Sequence, residues 1–572
     1  MHKFLLTALA VGLASAGLSS GASAAQTFEG TATGKHGDIT VAVTFDQNKI
    51  ADIRIVKEEE NPVLTQKVYK DLREAIIAGN SVAVDSISGA TLSSDALKAA
   101  VKAAADKAGV TLAATPLIVT KREVKIPEKD GYDVIVIGAG GAGFAAAVSA
   151  HDAGAKVVML EKMPTLGGNS LISGAEYAAA NNWVQQKLGI KDSVEQHFQD
   201  TMKGGDMLGD PAVVRVLVEN ALPTALWLRD TIGVEFQEDN LFHFGGHSVK
   251  RSLIPKGATG AEFINKFVKA TTERKIPIFT ETRVTELIRD KDGRVTGVKA
   301  TLKTKTAETI PAKAVILATG GFASNPELVK RFSPQWAGYP STASVGAEGD
   351  GILMAEKLGA KLDNMALTGP QTVAYDTGHG AVSLTNVRYN GAILVGKTGK
   401  RFTNELGNTA VIGADIKKQE GGVAFLIFDR TSVENAALMK KYESQGYFVK
   451  ADTLDELAQK LGVDKTNLRA TVERWHGFFD KKKDEDFGRT QSMFSRIDKA
   501  PYYGQKISPA SQTTYGGVER NADGAALKTN GTVIPGLFVA GETADQYGQG
   551  VSLGIVTGRI AARGALKAIK TK

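Results

Sequence analysis

Apolar residues alternate with polar ones at Ile39, Val41, Val43 and Phe45, and the pattern resumes at Ile50, Ile53 and Ile55 after Asp46-Gln47-Asn48. This spacing predicts two half-buried strands joined by a turn. A helical pattern covers 62–78, and an alanine- and lysine-rich helix runs to about Ala108, with Ser93 or Ser94 as its N-cap. Residues 27–112 therefore read as one small α+β unit. A linker, 113–130, holds Pro116 and Pro127. The pattern then changes to an unbroken apolar strand, Tyr132 to Ile137, followed by a glycine-rich loop and an alanine-rich helix. A second strand, 156–160, ends at Glu161. Strand, glycine loop, helix and strand in that order predict a Rossmann-like α/β domain. Between about 363 and 511 the sequence leaves this pattern. This stretch includes a hairpin turning at Lys397-Thr398-Gly399, an amphipathic stretch over 454–479, and a charged run over 480–486 that predicts a solvated loop.

The N-terminus carries a different signal. Lys3, the apolar run 4–18 and Ala22-Ser23-Ala24 have the layout of a secretory signal peptide covering 1–24. About 15 apolar residues fall short of the roughly 20 that a spanning helix needs. No other segment is long and apolar enough to span a bilayer, so the exported chain is expected to be soluble in the periplasm. The formal net charge of +7 is spread along the chain without a dense basic tract, which argues against a nucleic-acid partner.

The chain has no cysteine. That excludes disulfides, thiolate zinc or iron–sulfur sites, a cysteine nucleophile and covalent c-type haem. No metal site is expected, and any redox chemistry must use bound organic cofactors. The loop Gly138-Ala139-Gly140-Gly141-Ala142-Gly143 fits a dinucleotide: its glycines let backbone N–H groups approach a pyrophosphate, and Glu161 suits the adenosine ribose. NAD and FAD both satisfy this pattern. Thr91 lies just ahead of a predicted helix N-terminus, a place suited either to a capped turn or to a phosphate.

Longer motifs separate these alternatives. Asp85-x-x-Ser88-Gly89-Ala90-Thr91 resembles the attachment motif of FMN-binding domains. The resemblance implies covalent FMN, joined through a phosphoester to Thr91 by a flavin transferase. The segment Lys162-Met163-Pro164-Thr165-Leu166-Gly167-Gly168-Asn169-Ser170 resembles the fumarate reductase/succinate dehydrogenase flavoprotein family, as do Ala318-Thr319-Gly320-Gly321 and the stretch ending Val539-Ala540-Gly541-Glu542. This likeness extends from Tyr132 to the C-terminus. It implies non-covalent FAD held by Gly138, Gly140, Ala142, Gly143, Glu161, Lys162, Asn169, Ser170, Ser173, Gly174, Val284, Thr319, Gly320, Gly541, Glu542, Ser552 and Leu553. It also implies that the FAD-binding domain has a first part over 131–362 and a C-terminal part over 512–572, with 363–511 an inserted α+β capping domain that closes over the flavin.

The same resemblance assigns chemistry to Gly399-Lys400-Arg401-Phe402-Thr403-Asn404-Glu405. The local pattern alone makes Arg401 a solvent-facing arginine. The family instead implies that Arg401 gives the substrate a proton while flavin N5 gives hydride, with Arg388 as relay. Four departures concern the substrate. Gly369-Pro370-Gln371-Thr372 stands where fumarate reductases have His-Pro-Thr, and Thr513 stands where they have a second histidine. Thr385 replaces a glutamate, and the C-terminal carboxylate-gripping arginine is missing near Tyr547. Fumarate's two carboxylates need charged donors, so these losses argue against fumarate. Glu176, Gln371, Tyr375, Asp376, Tyr515 and Tyr547 are the expected substrate contacts, with Arg251 a candidate for the carboxylate.

The family branch that these features resemble is the flavocytochrome c-like one, with its urocanate and aryl-acrylate reductases. The expectation is a periplasmic respiratory reductase. A membrane-anchored or periplasmic cytochrome would feed FMN, then FAD, then the C=C bond of a small unsaturated acid. Two alternatives stay open. Gly550-x-x-Leu553-Gly554 and Gly558-Arg559-Ile560-Ala561-Ala562 resemble the ends of flavin ketosteroid dehydrogenases, so a neutral enone could be the acceptor. The other is a non-catalytic flavin electron carrier.

Overall fold

A computed structural model describes residues 25–35, 37–114, 131–244, 246–302, 306–378, 380–545 and 550–570. The signal-peptide assignment, most of the linker and Tyr547 lie outside the described residues.

The small module is a three-stranded antiparallel sheet, Gln26–Thr33, Asp38–Asp46 and Lys49–Glu58. Asp46 pairs with Lys49, and the two turn residues, Gln47 and Asn48, both have positive φ. That is the geometry that twisted hairpins favour. Helix Thr91–Ala108 packs its apolar face on this sheet. The helix begins at Thr91 with Ala90 at the cap position and no side-chain cap. This corrects the expected serine N-cap. Ser93 Oγ instead donates to Glu60 (2.7 Å), and Ser94 Oγ accepts from the Ile87 amide (3.0 Å).

The central domain has parallel strands Tyr132–Ile137, Val157–Leu160 and Ile278–Phe279. On the other side, strand Ala307–Leu317 runs parallel to Tyr132–Ile137 and to Val533–Val539. The latter pairing brings the C-terminal segment back into the first sheet. Helices Gly141–Asp152 and Gly550–Lys570 pack side by side against it.

The insert leaves this domain through a narrow neck, where Leu362 pairs with Val518 and Asp363 with Gly517. Its six-stranded sheet is built around the antiparallel strands Thr368–Asp376 and Tyr502–Thr514. The amphipathic stretch forms two helices, Leu454–Leu461 and Lys465–Lys481, separated at Gly462. The mixed α/β and α+β multidomain class is the one expected. No described helix is long and apolar enough to cross a membrane.

Candidate active site

A cavity of about 710 Å³ lies where the small module, the central domain and the insert meet. That volume suits an organic cofactor with a small ligand. Its floor is the glycine loop. A Cβ on Gly143 would stand 1.9 Å from the Gly138 carbonyl oxygen, so only glycine lets the helix start this close to its strand. A Cβ on Gly140, by contrast, would make only ordinary contacts, 3.7 Å from the Gly167 carbonyl oxygen and 3.9 Å from Ser170 Oγ, and its extended backbone borders the cavity. This is the shape of a pyrophosphate cradle at a helix N-terminus.

Glu161 borders the cavity and accepts from the Ala139 and Met163 amides, both at 2.8 Å. Burial pushes its carboxyl above the ordinary range despite those bonds. Glu542 is also on the wall. It accepts from Asn169 Nδ2 (2.7 Å) and the Thr514 amide (3.2 Å), and burial raises its pKa too. Two acids held this way, opposite a glycine floor, fit the hydroxyl groups of a flavin dinucleotide. Gly138, Ala142, Lys162, Ser170, Ser173, Gly174, Val284, Thr319, Gly320 and Gly541 also line the cavity. Ser552 and Leu553 do not. Helical phase turns both toward the core, and Gly550, Val551 and Gly554 face the cavity instead.

The small module closes one side. Gly89 has φ +83°, and a Cβ there would stand 2.4 Å from Thr165 Oγ1. The loop ahead of Thr91 therefore packs directly on the segment that borders the cavity. Leu92, the neighbour of Thr91, is itself on the cavity wall. The uncapped helix start at Thr91 leaves amide groups for a phosphate, so the residues present fit a threonine-linked FMN.

The expected acid is elsewhere. Arg401 and Arg388 are absent from the cavity wall and lie inside the insert. Arg401 is clamped by Glu405 (2.8 and 2.9 Å) and Asp484 (2.8 Å), near the rings of Trp475 and Phe487. Burial opposes its charge, but Glu405 and then Asp484 raise its pKa above the ordinary arginine value. A donor so committed is poorly placed to release a proton. Arg388 Nη1 donates to the Glu405 carbonyl at 2.8 Å, and Arg489 Nη1 reaches the Glu405 carboxylate at 3.2 Å. The four charges Arg401, Glu405, Asp484 and Arg489 form an internal brace. Asp484 belongs to the run read as a solvated loop, and its side chain is fully buried.

The expected substrate contacts are likewise redistributed. Tyr375 packs behind the wall against Tyr447, with ring centroids 5.8 Å apart. Asp376 is exposed and accepts from the Gly378 amide. Gln371 Oε1 accepts from Thr385 Oγ1 at 2.5 Å. Tyr515 lies against Gly369, and Glu176 against Gly174 at the cavity's edge; neither borders the cavity. Arg251 is fully buried in ion pairs with Asp192 (3.0 Å) and Asp200 (2.7 Å), which removes it as a carboxylate partner.

The cavity roof comes from residues that the sequence did not single out: Ser383, Asn386, Lys441, Tyr442 and Tyr447. Tyr442 Oη donates to the Ser383 carbonyl at 3.4 Å, and burial raises the pKa of both tyrosines. Among the described residues the cations on the wall are Lys35, Lys162, Arg283 and Lys441. Lys162 and Arg283 are both paired with Glu348 and Asp350.

A glycine-floored dinucleotide cradle beneath an inserted cap, with a flavin-attachment loop against it, defines a flavin-dependent oxidoreductase. Comparison with known proteins agrees. Residues 133–554 match the FAD binding domain family and residues 34–106 the FMN-binding domain family. The urocanate reductase of Eggerthella lenta is 39% identical over 91% of this chain and 88% of its own length. The fumarate reductase (cytochrome) of Shewanella frigidimarina is 36% identical over 77% of each chain. The open conformation of a flavocytochrome c3 fumarate reductase superposes with a TM-score of 0.71 at 32% identity, covering 77% of this chain and 79% of that one. The chain belongs to this FAD-binding family of fumarate and urocanate reductases, and it carries both an FAD-binding and an FMN-binding domain.

Proposed function

We propose that this chain reduces the C=C bond of an α,β-unsaturated carboxylate, urocanate- or cinnamate-like rather than fumarate. The observation that carries the reading is that Leu92, next to Thr91, shares a cavity wall with the dinucleotide cradle. That placement suits transfer from FMN on Thr91 to FAD. When bound, FAD supplies the hydride chemistry.

The chain's own residues do the rest. The glycine floor and Glu161 orient the dinucleotide, and the insert covers the site and excludes water, which strengthens electrostatics there. The roof offers Tyr442, Tyr447 and Asn386 to a planar acid bearing a ring. Proton delivery falls to groups on this wall, with Tyr442, held by Ser383, the proposed donor. Fumarate is disfavoured because, among the described residues, the wall offers no free arginine clamp: Arg283 is already paired, and Thr513 stands where fumarate reductases have a histidine. Export by the N-terminal signal places the enzyme in the periplasm. There a cytochrome would be its electron donor, after a flavin transferase has loaded Thr91.

The test is a panel of acceptors assayed anaerobically with reduced viologen. Urocanate or a cinnamate should be turned over well above fumarate. Turnover of fumarate alone would refute the reading, turnover of neutral enones alone would favour a ketosteroid-like acceptor, and no turnover would favour an electron carrier.

A further inference from the structure

Two lysines on the cavity wall come from different parts of the molecule and face the same seam. Lys35 lies in the small module's loop between its first two strands, and Lys441 lies on the insert's helix Ala437–Ser444. Both are half-buried, and neither makes an ion pair or side-chain hydrogen bond among the described residues. The seam is held in register by Gln445, whose Nε2 donates to the carbonyls of Gly34 (3.2 Å) and Lys35 (2.7 Å). Burial lowers the pKa of each lysine, Lys441 lowers that of Lys35 further, and Glu60 offsets part of the effect on both. Glu60 in turn accepts from Ser93 Oγ at 2.7 Å, within the first turn of the helix that starts at Thr91. Two like charges held together in a partly desolvated seam are costly unless an anion joins them.

We propose that Lys35 and Lys441 form one anion seat for the flavin tethered to Thr91, so that the cofactor itself ties the small module to the cap. The inference rests on the reading that Thr91 carries FMN. The anion is the flavin's own charge, carried in its phosphodiester and gained by the ring system on reduction. A substrate carboxylate offers similar chemistry, but Lys35 belongs to the module that bears Thr91 and shares Glu60 with Ser93. The tethered group is therefore the nearer occupant. Lys35 and Lys441 act as positioning residues: they stabilise charge on the cofactor and take no part in bond making.

The experiment uses the full flavinylated chain with Lys441→Gln, Lys35→Gln and the double variant. In-gel fluorescence after denaturation confirms covalent FMN in each, and anaerobic spectroelectrochemistry reads the FMN midpoint potential. Removing either lysine should disfavour the reduced form about tenfold, a fall of about 30 mV for a two-electron couple. Lys441→Arg should restore the potential. An unchanged FMN potential with a raised KM for the acid would overturn the proposal and assign the pair to substrate. An unchanged potential with unchanged KM would overturn it as well. Retention of covalent FMN in Thr91→Ala would instead refute the reading on which it rests, whatever the lysine variants do.

Discussion

Two groups of cations in the molecule are treated in opposite ways. Arg401 and Arg489 sit inside the insert with Glu405 and Asp484, each charge met by another within about 3 Å. Lys35 and Lys441 sit at a seam open to the main cavity, without an ion-pair partner among the described residues. A charge matched internally is scaffolding, because its desolvation is already offset by its neighbours. A charge left unmatched on a cavity wall is placed for something that arrives later. On this ground the arginine brace is scaffolding, and the lysine seam is the positioning element of the proposed flavin seat.

The comparison can be broken most forcefully at the brace. Arg401→Ala leaves Glu405 and Asp484 buried without their main partner, and should cost about 3–5 kcal/mol, read as a fall in the thermal or urea midpoint. Arg401→Lys keeps a charge, and should lose stability yet keep turnover well above the loss of about 10²–10⁴-fold expected on removing a general acid. A folded but inactive Arg401→Lys protein would return the acid role to this residue.

A third buried group sharpens the contrast through pH. Burial, and then the charge of Arg251, hold His197 down to about 3, and burial likewise holds His247 at about 4. Both are neutral in the folded protein at neutral pH. Below about 6.5 the unfolded chain binds protons at these positions while the folded chain does not, so stability should fall as pH drops from there toward about 4. Denaturation midpoints measured across that window should show the decline, and a His197→Gln, His247→Gln double variant should flatten it.

The cradle's acid should respond in ligand binding. Because burial raises the pKa of Glu161, acidification should protonate it sooner than an ordinary glutamate and remove an acceptor for the ribose. FAD release, followed by fluorescence, should therefore increase as pH falls, and less so in Glu161→Gln. The smallest effect is expected at the seam. Gln445→Ala removes two hydrogen bonds between insert and module and should cost about 0.5–1.5 kcal/mol for each. Faster amide exchange confined to the seam would report it.

Much of the fold was legible because its signals are local. The period-two run over Ile39, Val41, Val43 and Phe45, and the glycine loop after Ile137, depend on neighbours a few residues apart. The dinucleotide loop followed from the same run of sequence; the wider flavin wall followed from a family resemblance, and most of the residues it implied border the cavity. Long-range partners were not legible. Arg401 looked like an exposed hairpin residue because Asp484, which buries it, lies 83 positions away. Lys35 and Gln445 are separated by 410 positions, and no periodicity links them. Ser552 and Leu553 were misplaced by helical phase: the motif located the right turn of the helix, but only packing decides which of its faces meets the cavity. Nothing in the local pattern singles out Tyr442 or Tyr447, whose place on the cavity wall depends on the insert folding over the cradle.

The central claim is that electrons held on the Thr91 module reach an unsaturated acid through the shared cavity. The most direct measurement is the yield of product when the fully reduced protein is mixed with urocanate in the absence of oxygen and any other donor. With two flavins each returning an electron pair, wild type should reduce about two molecules of acid per chain, and Thr91→Ala about one. Equal yields from the two proteins would contradict the account, because the module would then hold no electrons that the cavity can use.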